Sequence, residues 1–240
     1  MRIALVTGSA KRIGRGVAEH LLNEGFKLFV HAHNSSKELE EWVAKHPLRN
    51  QVLDIIQADL ATPVGQDHVI QSVLAKTHTL DLLVHNASTF YPRDFSDISR
   101  NDVAEMLNVN ALAPLFITQG LLNVLNQSTS PSVVNILDSM WERPNPRFAH
   151  YALSKAALAL LTRSMAIELA PKIRVNAVAP GAILFQPFHN EQVRKHTLEK
   201  IPLKRLGTPL EIAKAVLFLH NSSYANGEIL ALDGGRSIVH

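Results

Sequence analysis

The chain has 240 residues, of which 46% are hydrophobic and 19% charged, a composition that supports a packed core and argues against disorder. A formal charge of +3 without a Lys/Arg run argues against nucleic-acid binding, and the absence of cysteine excludes disulfides and thiolate metal sites. Twelve scattered histidines show no metal-site spacing, so no metal is expected, and neither a signal peptide nor a membrane-length apolar run is visible, which reads as a cytoplasmic protein.

In chain order, residues 3–6 read as a first strand, followed by the glycine-bearing turn of residues 7–14 and a helix to about Asn23, with Gly25 as its stop. Residues 27–30 form a second strand, 36–45 a helix, 52–57 a third strand and 63–76 a helix. Residues 80–84 are a fourth strand, 101–126 one long helix, and 132–137 a fifth strand. A helix at 149–169, a sixth strand at 174–178, a helix at 209–220 and a short strand at 228–231 complete the series. Apolar strands alternating with helices predict an α/β architecture, a doubly wound parallel sheet of about seven strands covered on both faces. No linker or repeat divides residues 1–240, so a single domain is expected. The least regular stretch, 181–206, reads as a mobile flap over a site.

The first turn places Gly8 and Gly14 between a strand and a helix. It is either an ordinary tight turn or a cradle in which backbone N–H groups and the helix dipole meet a pyrophosphate, with Lys11, Arg12 and Ile13 beside it. A carboxylate ending the second strand would favour NAD. The segment instead reads His31-Ala32-His33-Asn34-Ser35. His31, His33, Asn34 and Ser35, with Lys11 and Arg12, either surround a 2′-phosphate, which favours NADPH, or lie on the surface. Asp59, followed by Leu60, either accepts from an adenine amino group or caps a helix. Asn86, Ala87 and Ser88 follow the fourth strand and Pro180 and Gly181 the sixth, at the edge where such sheets bind ligands.

Tyr151 and Lys155 are spaced i, i+4 on one helical face. A neighbouring ammonium is expected to lower the tyrosine pKa, making Tyr151 a proton donor during hydride transfer, while Lys155 reaches a nicotinamide ribose. An isolated Tyr-x3-Lys carries little meaning, so the surrounding motifs decide its value. Thr7-Gly8-x3-Arg12-x-Gly14, Asn86-Ala87, Asn110, Tyr151-x3-Lys155 and Pro180-Gly181 occur in that order. The whole chain thereby resembles the short-chain dehydrogenase/reductase family. That resemblance implies a single-domain Rossmann fold, an NADPH-linked catalytic set of Asn110, Tyr151 and Lys155, and a homotetramer.

Two positions depart from the family pattern. Thirteen residues before Tyr151, where a serine usually polarises a carbonyl, stands Asp138; the adjacent Ser139 should point the opposite way. Arg12 stands where glycine is usual. Both departures, with Asn86-Ala87-Ser88-Thr89-Phe90, are similar to the pteridine reductase branch. In that branch the residue matching Ser88 contacts cofactor phosphate or pterin, and the aromatic matching Phe90 stacks on the pterin; Phe90 read alone could equally be a packing residue. Glu142-Arg143, Ala179-Pro180 followed by Ile183-Leu184-Phe185, and Asp233-Gly234-Gly235-Arg236 resemble the bacterial dihydromonapterin reductases, which also have dihydrofolate reductase activity. A substrate-contacting serine common in the protozoan branch is replaced by Ile183.

The resemblance implies a pterin substrate held by Arg12, Ser88, Phe90, Asp138 and Tyr151, with hydride added at C6 and a proton at N5 of a 7,8-dihydropterin. Tyr151 and Asp138 would share proton delivery, and Arg12 would bridge pterin and pyrophosphate. A carbonyl reductase acting on 3-oxoacyl thioesters is the rival, weakened because an ionised Asp138 repels a developing alkoxide. A nonenzymatic NADPH-binding regulator is a second rival, weakened because a sensor has no need of Asn110, Tyr151 and Lys155.

Overall fold

The computed structural model describes residues 2–139, 141, 142, 145–185 and 190–239. Arg143 of the Glu142-Arg143 pair and residues 186–189 of the expected flap lie outside the described residues.

Seven strands make one parallel sheet: β1 (Arg2–Val6), β2 (Phe26–Ala32), β3 (Val52–Gln57), β4 (Leu82–His85), β5 (Ser132–Ile136), β6 (Arg174–Pro180) and β7 (Ile229–Leu232). Their order across the sheet is β3-β2-β1-β4-β5-β6-β7, every neighbouring pair parallel. The near-continuous apolar strands follow from burial on both faces, and alternate residues divide between two cores. Ala4, Val6, Leu28, Val30, Leu82 and Val84 face α1 (Arg12–Asn23), α2 (Ser36–Lys45) and the C-terminal helix, whereas Ile3, Leu5, Phe29, Leu83 and Val133 face the other layer. This is a doubly wound Rossmann fold.

The second layer contains α3 (Pro63–Leu74), α4 (Arg100–Leu107), α5 (Ala113–Gly120), the short α6 (Leu122–Leu125) and α7 (Ala149–Glu168). The expected single helix over 101–126 is interrupted. A π-helical turn, Asn108–Leu112, joins α4 to α5, and α5 ends at Gly120. Gly120 lies against Ile70 of α3 so closely that a Cβ would stand 2.5 Å from its Cδ1. A π-bulge widens the helix and re-aims side chains, and here it carries Asn110. The stretch expected to be irregular, 181–206, contains helix α8 (Glu191–Glu199), started by Asn190 accepting from Val193 N. The last α-helix among the described residues, α9 (Pro209–Asn221), begins with a Thr208–Glu211 capping box and Pro209 in its first turn.

The sheet order reverses between β1 and β4, so the chain leaves these two strands in opposite directions and opens a crevice at their carboxyl ends. The turns after β1, β4, β5 and β6 all reach this edge.

Candidate active site

The turn after β1 is built for close approach. Gly8 has φ +66°, and a Cβ on Gly14 would stand 2.1 Å from the Gly8 carbonyl oxygen. Asn86 locks the crevice wall by donating from Nδ2 to the carbonyls of Thr7 and Gly8 at 3.0 and 2.9 Å. Thr7 Oγ1 accepts from the backbone N–H groups of Asn86 and Ala87 at 3.0 and 3.1 Å. Lys11 precedes α1 without a side-chain cap, so the first N–H groups of the helix are not satisfied by that residue. Compact glycines, exposed Lys11 and an uncapped helix start fit a pyrophosphate.

His31 does not belong to a phosphate-binding surface, contrary to expectation. It is buried in β2; Nδ1 accepts from Gly8 N at 3.1 Å and Nε2 donates to Ala58 O at 3.0 Å. Burial holds its pKa down at about 4, so the ring is neutral and buttresses the glycine turn from beneath. His33, Asn34 and Lys11 are exposed and Ser35 half-buried beyond it. His33 Nδ1 lies 3.8 Å from Asp59. Asp59 accepts from Ala61 N, whereas the cap of α3 is Thr62, which accepts from Gly65 N. Leu60 turns into the core, so its side chain is closed to a ligand. Lys11 pairs with Glu38 at 2.9 Å, a carboxylate that sequence reading missed because it lies on α2 and not at the end of β2.

At the other wall, the Tyr151 hydroxyl donates to Asp138 Oδ2 at 3.1 Å. Lys155 Nζ donates to the Ile136 carbonyl at 2.9 Å and lies 5.8 Å from the Tyr151 ring centroid. Tyr151, Lys155 and Asn110 are all buried. Asn110 Oδ1 accepts from Thr89 N at 2.9 Å, while Nδ2 donates to Thr89 O and to Ser154 Oγ at 3.1 and 2.9 Å. The expectation that Lys155 lowers the Tyr151 pKa is not met. Burial, with the adjacent Asp138, pushes the phenol well above its ordinary value, so Tyr151 is a protonated donor. Burial pushes Lys155 down to about 8, opposed by Asp138.

Phe90 is half-buried beside this pair, its ring 4.7 Å from that of Tyr151 in an edge-on arrangement. Phe148, absent from the sequence reading, stacks on Phe90 at 4.7 Å and 8°. Its only sequence signal was its position three residues, close to one helical turn, before Tyr151. Ser88 is exposed at the crevice. Ser139 turns away from Asp138 into a separate cavity shared with Trp141 and Arg163, and its N–H donates to Pro180 O at 2.8 Å. Gly181 packs against Asp233, where a Cβ would come within 2.6 Å. Arg12 adopts a left-handed φ of +54°, a conformation that favours glycine and costs a larger residue roughly 1–2 kcal/mol. Its guanidinium donates to the carbonyls of Leu184 and Phe185 at 2.8 and 3.3 Å, tying the glycine turn to the segment after β6.

A family model described as enoyl-(acyl carrier protein) reductase matches residues 8–237. The chain belongs to the short-chain dehydrogenase/reductase family. This short-chain dehydrogenase/reductase is therefore an oxidoreductase by family. It is 30% identical to a dihydromonapterin reductase of Enterobacter sp. (strain 638), covering 99% of this chain and 97% of that protein. It is also 30% identical to a putative ketoacyl reductase of the granaticin polyketide synthase from Streptomyces violaceoruber, over 99% of this chain and 96% of that protein. Among solved structures, FolM alternative dihydrofolate reductase 1 from Brucella canis, complexed with NADP, superposes with a TM-score of 0.91 at 30% identity. That similarity covers 100% of this chain and 95% of the other.

Proposed function

We propose that this enzyme reduces a 7,8-dihydropterin to its tetrahydro form with NADPH. The observation that carries this reading is the Asp138–Tyr151 hydrogen bond beside the Phe90–Phe148 stack. It unites a proton-delivering pair with aromatic surface suited to a flat heterocycle. The likeness to proteins named dihydromonapterin reductase and alternative dihydrofolate reductase supports the same assignment.

NADPH, when bound, supplies the hydride that reaches C6. Gly8, Ile13 and Gly14 would border its pyrophosphate, Asn86, Ala87, Ser88, Pro180 and Gly181 the crevice, and Lys155 the nicotinamide ribose. Lys11, His33, Asn34 and Ser35 would meet the 2′-phosphate, and Asp59 the adenine. Tyr151 holds the proton destined for N5, and Asp138 orients its hydroxyl and shares delivery. Asn110 holds Thr89 and Ser154 in place around the centre. Phe90 stacks on the pterin, and Ser88 and Arg12 meet its polar edge once Arg12 leaves the Leu184 and Phe185 carbonyls. The segment 181–206 acts as the flap over the C6 substituent.

A ketoacyl reductase would need, beside Tyr151, a second neutral donor toward the carbonyl oxygen where Asp138 stands. The position is held by a carboxyl group, and Ser139 faces another cavity, which weighs against that chemistry. The exposed apolar stripe Leu153, Leu160 and Ile167, spaced seven residues apart on α7, supports self-association, in line with the homotetramer that the family resemblance implies.

The deciding experiment compares kcat/KM for dihydromonapterin, dihydrobiopterin, dihydrofolate and a 3-oxoacyl thioester, each with NADPH and NADH. Preference for a dihydropterin with NADPH is expected. Turnover of the thioester alone would replace the proposal with the ketoreductase reading, and no turnover of any would favour a nonenzymatic role.

A further inference from the structure

We infer that Tyr91 is a positioning residue for this reaction, holding the Phe90 ring in register with Tyr151 through an anchor on Asp102. The inference rests on the dihydropterin reading above.

Residues 86–94 carry no helix or strand, so no regular hydrogen-bond ladder fixes the backbone that presents Phe90. Side-chain bonds fix it from both directions, beside one backbone bond from Arg93 N to Arg147 O at 2.8 Å. On the N-terminal side, Asn110 takes both backbone groups of Thr89. On the C-terminal side, the Tyr91 hydroxyl lies 2.9 Å from Asp102 Oδ1 and 3.1 Å from Glu105 Oε2, and donates its one proton into this pair of carboxylates. Burial, reinforced by those carboxylates, pushes the Tyr91 pKa up, which keeps the hydroxyl a donor.

Asp102 is a rigid anchor. It is buried, and its other oxygen accepts from Ser99 N at 2.9 Å and Ser99 Oγ at 2.6 Å in the capping box that starts α4. Arg93 Nε adds a bond to Asp102 Oδ1 at 3.2 Å, and its guanidinium lies 5.3 Å from the Tyr91 ring centroid. The His150 ring lies 5.4 Å from the Tyr91 ring centroid. His150 precedes Tyr151 on α7, is buried, and has no hydrogen-bond partner at either ring nitrogen among the described residues. It therefore serves here as a packing surface. Tyr91 thus touches the helix that carries the proton donor while its chain neighbour Phe90 lies edge-on to that donor. The Tyr91 contacts set the spacing between stacking ring and phenol.

The test is a double-mutant cycle of Tyr91→Phe and Phe90→Ala, read as KM and kcat for dihydropterin, NADP+ Kd and thermal midpoint. Tyr91→Phe removes only the hydroxyl, and loss of one such bond should raise KM about three- to tenfold. kcat and NADP+ Kd should stay within about twofold. In the Phe90→Ala background, Tyr91→Phe should raise KM no further, because the ring it positions is gone. A fall in thermal midpoint with unchanged KM, or an additive KM effect in the double variant, overturns the inference alone. A wild-type enzyme that binds NADP+ but does not turn over dihydropterin overturns the functional reading and this inference together.

Discussion

The Tyr151 hydroxyl and the Asp138 carboxyl meet at 3.1 Å, at the spacing of thirteen residues where the wider family pairs tyrosine with serine. The phenol is buried and faces this acid, so its proton is retained until a more basic acceptor arrives. Asp138→Ser, or the isosteric Asp138→Asn, should lower kcat for dihydropterin by about 10²-fold or more, the usual scale of a positioned proton-transfer group. NADP+ Kd should stay within about twofold, as measured by protein fluorescence titration. Wild-type turnover in either variant would remove Asp138 from the proton path.

Phe90 and Phe148 are stacked on one another, and the proposed function has the pterin stack against Phe90. Phe90→Ala should weaken pterin binding to the enzyme–NADP+ complex about tenfold, consistent with the loss of one aromatic stacking surface. Phe148→Ala should do so less, since Phe90 also touches the Tyr151 ring and would keep its place. Equal pterin Kd in wild type and Phe90→Ala, by calorimetry, would end the stacking proposal.

Burial holds the Lys155 ammonium down at about 8. A base with a depressed pKa loses its charge as pH rises through that value, and with it the favourable field for an anionic cofactor. The kcat/KM for NADPH, which reports groups of the free enzyme, should therefore fall as pH rises above about 8. Lys155→Arg should lose activity through altered geometry yet show no such limb, because guanidinium stays charged. A wild-type profile flat between pH 7 and 10 would contradict this account.

Three buried histidines link stability to pH. Burial holds His31 and His220 down at about 4 and His85 at about 3. Between those values and the ordinary 6.5, the unfolded chain binds protons that the folded chain refuses. Stability is therefore fully present above pH 6.5 and is lost as pH falls toward 4. His31 alone contributes on the order of 3 kcal/mol at neutral pH relative to acid. The urea midpoint should drop markedly from pH 7.5 to 5.0, and less so in His85→Gln. Identical midpoints at the two pH values would show that these rings are not held neutral by the fold.

The central strands were legible because they are buried on both sides and so read as continuous apolar runs, as in residues 3–6 and 82–84. Helix continuity was less legible. Residues 101–126 have unbroken helical composition, yet the π turn at Asn110 and the close α3 contact at Gly120 divide them. Helix α8 was hidden because it carries few apolar residues of its own, none of them buried. Phe148 and Glu38 escaped notice because neither stands in a recognisable motif; each reaches the site only through a neighbouring element.

Local patterns by themselves determined the parallel sheet, the glycine turn, the placement of ligand-facing turns at one edge, and the ordered Tyr151, Lys155 and Asp138 positions. These depend on backbone periodicity, glycine conformation and spacing along a single helix or strand. Only the tertiary structure decided which of those residues are reachable and in what charge state. His31 lies within β2 and is sealed under the glycine turn as a neutral ring, whereas His33, just past the end of that strand, is exposed. Lys155 stands one turn from Tyr151, yet burial and the approach of Asp138 set the phenol's proton affinity. Desolvation and hydrogen bonding act through space, across residues far apart in the chain, and no reading of neighbours along it contains them.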